Sequence, residues 1–520
     1  MMKPYSKQDI ERIYQQLMRR AHQNAETGKW AKAVSDVTSA AEWAYHFNLF
    51  YADADAEKLL RIISDANIPR FHVHDGAENR CVLIDSFCMD NRGLVQQYLR
   101  AMKKNQLQLL YICTASTTRH GTDTLKELRE DNQAEILVLS EKSPDPIQQA
   151  RLAAEAIVSF SPSRLFLHLA PWDGVALMAC HAVEGLEKFN INLTDHAFWL
   201  GASFIDYNLE FRPYGMTVSI EQRHLDQKQL LPLPYYPIAP VSQDFYGLPS
   251  LPPTAIKILT GGSLYKMMGK HDIFFKLMDA VLSLSEDVYI LVAGFPRDPR
   301  FDHLCQTMQH GDRVIQIGLR LDINAVFEHC DIYLSTYPMI GGLMLQYAAK
   351  HGKPIIAYHE AGDVMNLPEE IVNNYQDQYR SYSTIEDMTA YAARLIQDET
   401  FRRSEGIVLQ EGLMTEDRFA EAFLKTVTSH LPQWQWDSDR IDYDAFFERY
   451  LELENANGFS ATKTLAKQQG LSLVSTLSGF RMQAAQALIQ SLTEMPIKEL
   501  LVWLMPPCIK HLLLTNKQSI

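Results

Sequence analysis

No CxxC pair and no zinc-type spacing occurs among the seven cysteines, and their odd number excludes a fully paired disulfide framework. They read as free thiols in a reducing compartment. The chain also lacks any apolar run of about 18 residues, so nothing in it reads as a membrane-crossing helix. Its first stretch, MMKPYSKQDIERIYQQ, has no apolar core of a signal peptide, which points to a cytoplasmic protein. Positive charge is in short supply: 49 Lys and Arg stand against 63 Asp and Glu, a net charge of −14. That balance excludes a nucleic-acid partner held by a general basic field, while leaving room for a local basic pocket that holds a phosphate group. No internal repeat is found.

What is present is an ordinary globular composition, 47% hydrophobic and 22% charged over 520 residues. That is enough chain for about two to four domains. Residues 1 to about 75 read as a helical accessory module, because Ile10, Ile13, Leu17 and Ala21 recur at helical spacing and Ala31 to Leu49 repeats the pattern. From 76 to 245 the period changes. Strands are expected at Cys81–Ile84, Leu109–Cys113, Ile136–Leu139, Leu165–Leu169 and Asn190–Leu193, alternating with helices. Leu230 to Pro253 is rich in Pro and Tyr and reads as a linker between domains, or as ordered packing against both neighbours. The alternation resumes from 250 to 432, with strands at Ile256–Leu259, Val288–Ala293, Val314–Ile317, Ile332–Leu334 and Ile355–Tyr358. Residues 433–520 return to helix. Their apolar end, Leu500 to Leu514, reads as packing back onto the body or as peripheral contact with the inner face of a membrane.

The fold class that follows is α/β: two doubly wound, Rossmann-like parallel sheets with a cleft between them, flanked by an N-terminal helical module and C-terminal helices. The clearest unit is DIYLSTYPMIGGLMLQYAAKHGKPIIAYHEAGD, residues 331–363: strand, glycine turn, helix, strand. The open N–H groups of Gly341 and Gly342 at the start of its helix can seat a phosphate, or can simply make a tight turn.

The order of ILTGGSLYKMMGKHD, VIQIGLRLDINAVFEHCDIYLSTYP and GGLMLQYAAKHGKPII across about 255–365 resembles the GT-B glycosyltransferases, the two-Rossmann class that uses nucleotide-activated sugars. The N-terminal half resembles that class only in architecture. The resemblance implies a nucleoside-diphosphate sugar of UDP or GDP type as co-substrate and no other cofactor. It also implies a glycan, a lipid-linked glycan or a protein as acceptor, in polysaccharide biosynthesis or protein glycosylation. The implied donor-side residues are Gly261, Gly262, Ser263, Lys266, Lys270, Gly318, Arg320, Gly341, Gly342, Gln346 and Glu360. The chain departs from the pattern in two places. The paired glutamates of many retaining members would fall on Pro338 and Gln346, and the usual Arg after the first glycine turn is Ser263, leaving Lys266 and Lys270 as stand-ins. Alternatives are a nucleotide-sugar 2-epimerase, which shares the fold, and a non-catalytic relative that binds a partner.

Without a metal, a leaving diphosphate needs cations and backbone N–H groups, which is the role expected of the lysines, Arg320 and the Gly341–Gly342 turn. An inverting transfer also needs a base for the acceptor hydroxyl. Asp195 or His196, at the end of an expected strand, is the catalytic candidate, although side chains of strand neighbours point apart. Glu210, Arg212 and Asp206 are weaker candidates on the same side. No metal site is expected. Asp53–Asp55 and Asp437–Asp439 only mimic an Asp-x-Asp motif and read as solvated surface, and His72 and His74 read as strand-edge residues.

Overall fold

The computed structural model describes residues 4–90, 94–238, 244–372, 381–456, 460–469, 473–477 and 479–494. In it the apolar runs become two all-parallel sheets. The strands in chain order are β1 (Phe71–His72), β2 (Ala77–Asp85), β3 (Gln108–Cys113), β4 (Ala134–Val138), β5 (Pro162–His168), β6 (Val183–Glu184), β7 (Glu187–Ile191), β8 (Tyr207–Glu210), β9 (Leu230–Pro232), β10 (Ile256–Gly261), β11 (Val288–Ala293), β12 (Val314–Gly318), β13 (Ile332–Leu334) and β14 (Ile355–Ile356). The first sheet has the order β4-β3-β2-β5-β7-β8-β9 and the second β12-β11-β10-β13-β14, while β1 and β6 pair alone. Buried on both faces, strands such as Val82–Ile84 and Ile290–Val292 are continuous apolar runs rather than alternating ones. In each sheet the earliest strand lies inside and the order reverses beside it, between β2 and β5 and between β10 and β13. Ligands of open α/β sheets bind at that reversal.

Within the first sheet two strands were not legible beforehand, and neither was the two-residue β6 outside it. β8 is four residues long with polar members, and β9 lies inside the proline-rich stretch expected to be a linker. β9 can hold Pro232 because it is an edge strand, whose missing N–H leaves no gap in an interior ladder. The stretch after it is docked on both domains. Gln97 Nε2 donates to the Tyr236 carbonyl at 2.9 Å on the first, and the Tyr246 N–H donates to Asp322 Oδ2 at 2.9 Å on the second. Residues 239–243 lie outside the described ones.

The N-terminal helices Lys7–Glu26, Trp30–Phe47 and Ala54–Asn67 do not stand apart as a module. Their apolar residues share one core with Val82, Ile84, Leu165 and Leu167 of the first sheet. The C-terminal helices Ser460–Gln469 and Arg481–Glu494 join the same core through Leu465, Ala466, Ala484 and Leu488. Polar contacts fix the register of the two chain ends: Tyr5 Oη and Thr462 Oγ1 are 2.6 Å apart, and Gln469 Nε2 donates to Ser39 Oγ at 2.7 Å. Helix Trp30–Phe47 is buried on nearly every side, which is why it reads as Ala-rich with few charges. Helix Glu416–Ser429 returns from the second domain to the first sheet, where Phe419 meets Tyr98 and Phe423 meets Phe166 at ring distances of 5.2 and 5.4 Å. Among the described residues no helix is long and apolar enough to cross a membrane. Leu500–Leu514 lies outside them.

Candidate active site between the domains

The reversal between β10 and β13 places two loops side by side. The first begins at Gly261 and Gly262. Gly262 has φ 151°, a conformation that side-chain-bearing residues rarely adopt, and its N–H donates to the Ala293 carbonyl at 3.1 Å. Ser263 then leads into the short turn Leu264–Lys266. The second loop, after β13, runs to Gly341 at the head of helix Gly342–Lys350. Lys266 joins them: its Nζ donates to the Ile340 carbonyl at 2.6 Å, and its own carbonyl accepts the Met339 N–H at 3.4 Å. Asn366, which sequence reasoning missed, braces the same loop. Its Oδ1 accepts the Ile340 N–H at 3.0 Å, and its Nδ2 donates to the Pro338 carbonyl at 2.7 Å. Gly261, Gly262, Ser263, Lys266, Gly341 and Gly342 are therefore brought together. Gly318, with φ 72°, ends β12 beside them, its carbonyl accepting the Gly294 N–H at 2.9 Å. Lys270 sits in the turn before helix Ile273–Leu282, and its side chain lies outside the described ones.

Three expected donor residues have other partners. Arg320 grips Asp322 with two donors, Nε at 2.7 Å and Nη2 at 2.6 Å, and donates Nη1 to the Gly247 carbonyl at 2.8 Å. It clamps the interdomain segment to the second domain. Gln346 is buried and donates to the Tyr235 carbonyl at 3.2 Å, a second tie to that segment. Glu360 faces a separate cavity with Asp363 and Arg449.

On the first domain, Asp195 and His196 lie in a turn after β7 rather than in a strand. Their side chains therefore converge, with His196 Nδ1 at 3.0 Å from Asp195 Oδ1, contrary to the expectation for strand neighbours. Arg212 closes on the same carboxylate, with Nη2 at 3.1 Å from Oδ1 and Nε on Oδ2, and its Nη1 donates to the Met365 carbonyl of the second domain at 2.9 Å. Burial alone would raise the Asp195 carboxyl, but the Arg212 guanidinium and the His196 imidazole hold it well below the usual carboxylate range. Asp195 is therefore a fixed anion that orients His196 and leaves Nε2 as the ring nitrogen open to a ligand. Helix Pro213–Glu221 can run this close because residue 215 is glycine: a Cβ there would stand 2.7 Å from Asp195 Cβ. Glu210 is wholly buried and accepts from Ser219 Oγ at 2.6 Å and Asn192 Nδ2 at 2.8 Å. Burial pushes its carboxyl up to about 7. Asp206 accepts the Lys188 N–H at 2.9 Å at the other end of the sheet.

A cavity of about 520 Å³ brings the two domains' residues together: His196 from the first, Tyr265 and Met339 from the second, and His46 from the N-terminal helices. The helix Tyr443–Ala456 forms a further wall. Tyr450 lies over His196 with ring centroids 6.4 Å apart, and Tyr443 Oη donates to Glu221 at 2.6 Å. In the segment before this helix Asp437 is exposed as expected, but Asp439 is not solvated surface. The Asp439 N–H donates to Thr217 Oγ1 at 2.9 Å, and its carboxyl hydrogen-bonds Glu370. Asp53 is a helix cap, accepting the N–H groups of Asp55 at 2.7 Å and Ala56 at 3.1 Å. Among the described residues no three His, Cys, Asp or Glu side chains gather as a metal site.

No family model matches the sequence, and no curated protein is similar to it in sequence. Solved structures do match. An O-GlcNAc transferase mutant from Thermobaculum terrenum superposes with a TM-score of 0.52 at 13% identity, covering 86% of this chain and 83% of that one. The chain has the GT-B glycosyltransferase fold. Two further GT-B structures match less closely. Anabaena HepE, in complex with UDP and glucose, has a TM-score of 0.47 at 13% identity, over 67% of this chain and 99% of that one. The lipopolysaccharide outer core galactosyltransferase WaaB has the same TM-score and identity, over 68% and 99%. In the GT-B frame, the second sheet here carries the glycine loops and the first carries His196.

Proposed function

We infer that this protein is a glycosyltransferase that moves a sugar from a nucleoside-diphosphate sugar to an acceptor bound in the interdomain cleft. The observation that carries the reading is the cavity in which His196, oriented by Asp195, faces the loops of the second sheet. His196 Nε2 would take the proton of the acceptor hydroxyl as it attacks the anomeric carbon, and the Asp195 anion would stabilise the imidazolium that forms. The glycine loops, the helix start at Gly341–Gly342 and the lysines would hold the leaving diphosphate through N–H groups and positive charge, with no metal needed. Acceptors consistent with this are a glycan, a lipid-linked glycan or a protein.

A second reading is a GT-B-fold protein that binds a partner without catalysis. It is favoured by the commitment of Arg320 and Gln346 to the interdomain segment and by the helix Tyr443–Ala456 standing in the cleft. A thermal-shift screen against UDP, GDP, ADP, CMP and their sugars, with and without EDTA, separates the two. Stabilisation by one nucleoside diphosphate that survives EDTA supports the transferase and names its base. No shift with any of them removes it.

A further inference from the structure

Another face of the helix Tyr443–Ala456 borders a second cavity, about 320 Å³ in volume, which does not include His196. Its walls come from three parts of the chain: the loop 360–365 of the second domain, Tyr214 of the first, and residues 441–452. Arg449 is the group that makes it unusual. Its side chain is 10% exposed, and its Nη2 pairs with Asp363 Oδ2 at 2.8 Å. Its Nε and Nη1 are buried and meet no acceptor among the described residues. Buried donors are nearly always satisfied, so two open ones on a single guanidinium that lines a cavity mark a place for a ligand's oxygens.

The surrounding chemistry narrows the ligand. Asp442, Glu448 and Glu452 at the cavity wall are exposed carboxylates that repel an anion such as a phosphate, a sulfate or a uronic acid. A cation in turn offers no acceptor to the open Arg449 N–H groups. A neutral, hydroxyl-rich molecule suits both, because each hydroxyl accepts from a guanidinium N–H and donates to a carboxylate. Phe446 and Tyr214, both buried, back the cavity with apolar packing.

We propose that this cavity is a subsite for a neutral saccharide, with Arg449 Nε and Nη1 donating to sugar oxygens and Glu448 and Glu452 accepting from its hydroxyls. As part of an acceptor, that saccharide rests on the transferase reading. As a ligand, it does not.

The test uses the full chain on an array of neutral, sialylated and sulfated oligosaccharides without nucleotide. Binding is expected to the neutral set alone. Arg449→Lys keeps a cation opposite Asp363, and so the fold, but loses the forked donors. It should weaken neutral binding about tenfold or more. The double variant Glu448→Gln with Glu452→Gln changes only exposed positions and should weaken it several-fold. Absence of binding to every oligosaccharide, binding only to the acidic ones, or unchanged affinity in both variants overturns the subsite. Titration with UDP and GDP keeps the two claims apart. Neutral-glycan binding that depends on Arg449, with no nucleotide bound, leaves the subsite and removes the transferase. Nucleotide binding with no glycan bound does the reverse.

Discussion

His196 Nδ1 stands 3.0 Å from Oδ1 of Asp195, its neighbour in the chain, and Arg212 holds the same carboxylate from the other side. One carboxylate thus serves both to orient the imidazole and to neutralise a buried guanidinium, and the two uses make different demands on a variant.

His196→Ala should leave nucleotide affinity and the melting curve unchanged and lower turnover about 10²- to 10⁴-fold, the usual range for a lost base. Transfer rates with and without the substitution check this, and unchanged turnover removes His196 from the mechanism.

Asp195→Asn is expected to be costly to the fold itself. It strands Arg212 in a buried place without its anion, at about 3–5 kcal/mol. Denaturant unfolding of the variant measures the loss. A change below about 0.5 kcal/mol would mean that Arg212 finds another partner.

Lys266 and Arg320 should separate cleanly. Lys266→Ala unties the two glycine-bearing loops at Ile340 and should weaken nucleoside-diphosphate binding about tenfold, read by titration. Arg320→Ala leaves Asp322 buried without its partner and frees the Gly247 carbonyl. It should cost about 3–5 kcal/mol of stability with nucleotide affinity unchanged. Weaker nucleotide binding in Arg320→Ala would return that residue to the donor site.

Stability should also depend on pH through two groups beside the cleft. Burial pushes Glu454 up to about 7, against hydrogen bonds from Ser460 Oγ at 2.5 Å and the Ala461 N–H at 2.6 Å. The native state then keeps a proton that the unfolded chain gives up near its ordinary value. This contribution is fully present below about pH 4.5 and is lost as pH rises through 7, on the order of 3 kcal/mol in all. Burial lowers His46 to about 4, so its share has the opposite sign and grows as pH rises from about 4 to 6.5. Between about pH 4 and 7 both are uncharged in the native state, and their 3.9 Å approach is no ion pair. Glu454→Gln should flatten the fall in unfolding free energy between about pH 5 and 7, measured by denaturation across that range. An unchanged slope assigns it elsewhere.

The sequence by itself determined the two parallel sheets, the positions of most of their strands along the chain and the glycine-bearing loops at 261–263 and 341–342. These rest on local signals: apolar runs long enough for a buried strand, and glycines where the backbone must turn sharply or approach closely. Only the tertiary structure decided which charged residues are tied into the fold. That Arg320 is paired with Asp322 and Gly247 could not be read from its own stretch of chain. Arg449, Asn366 and Gly215 carried no signal in their own neighbourhoods. Each acts through partners supplied by a distant segment, and such contacts depend on strand order and on where the final helices come to rest. The helices at the two ends of the chain show the same division. Their amphipathic periods were plain, but that both would share one core beneath the first sheet follows from long-range packing, which no local pattern encodes.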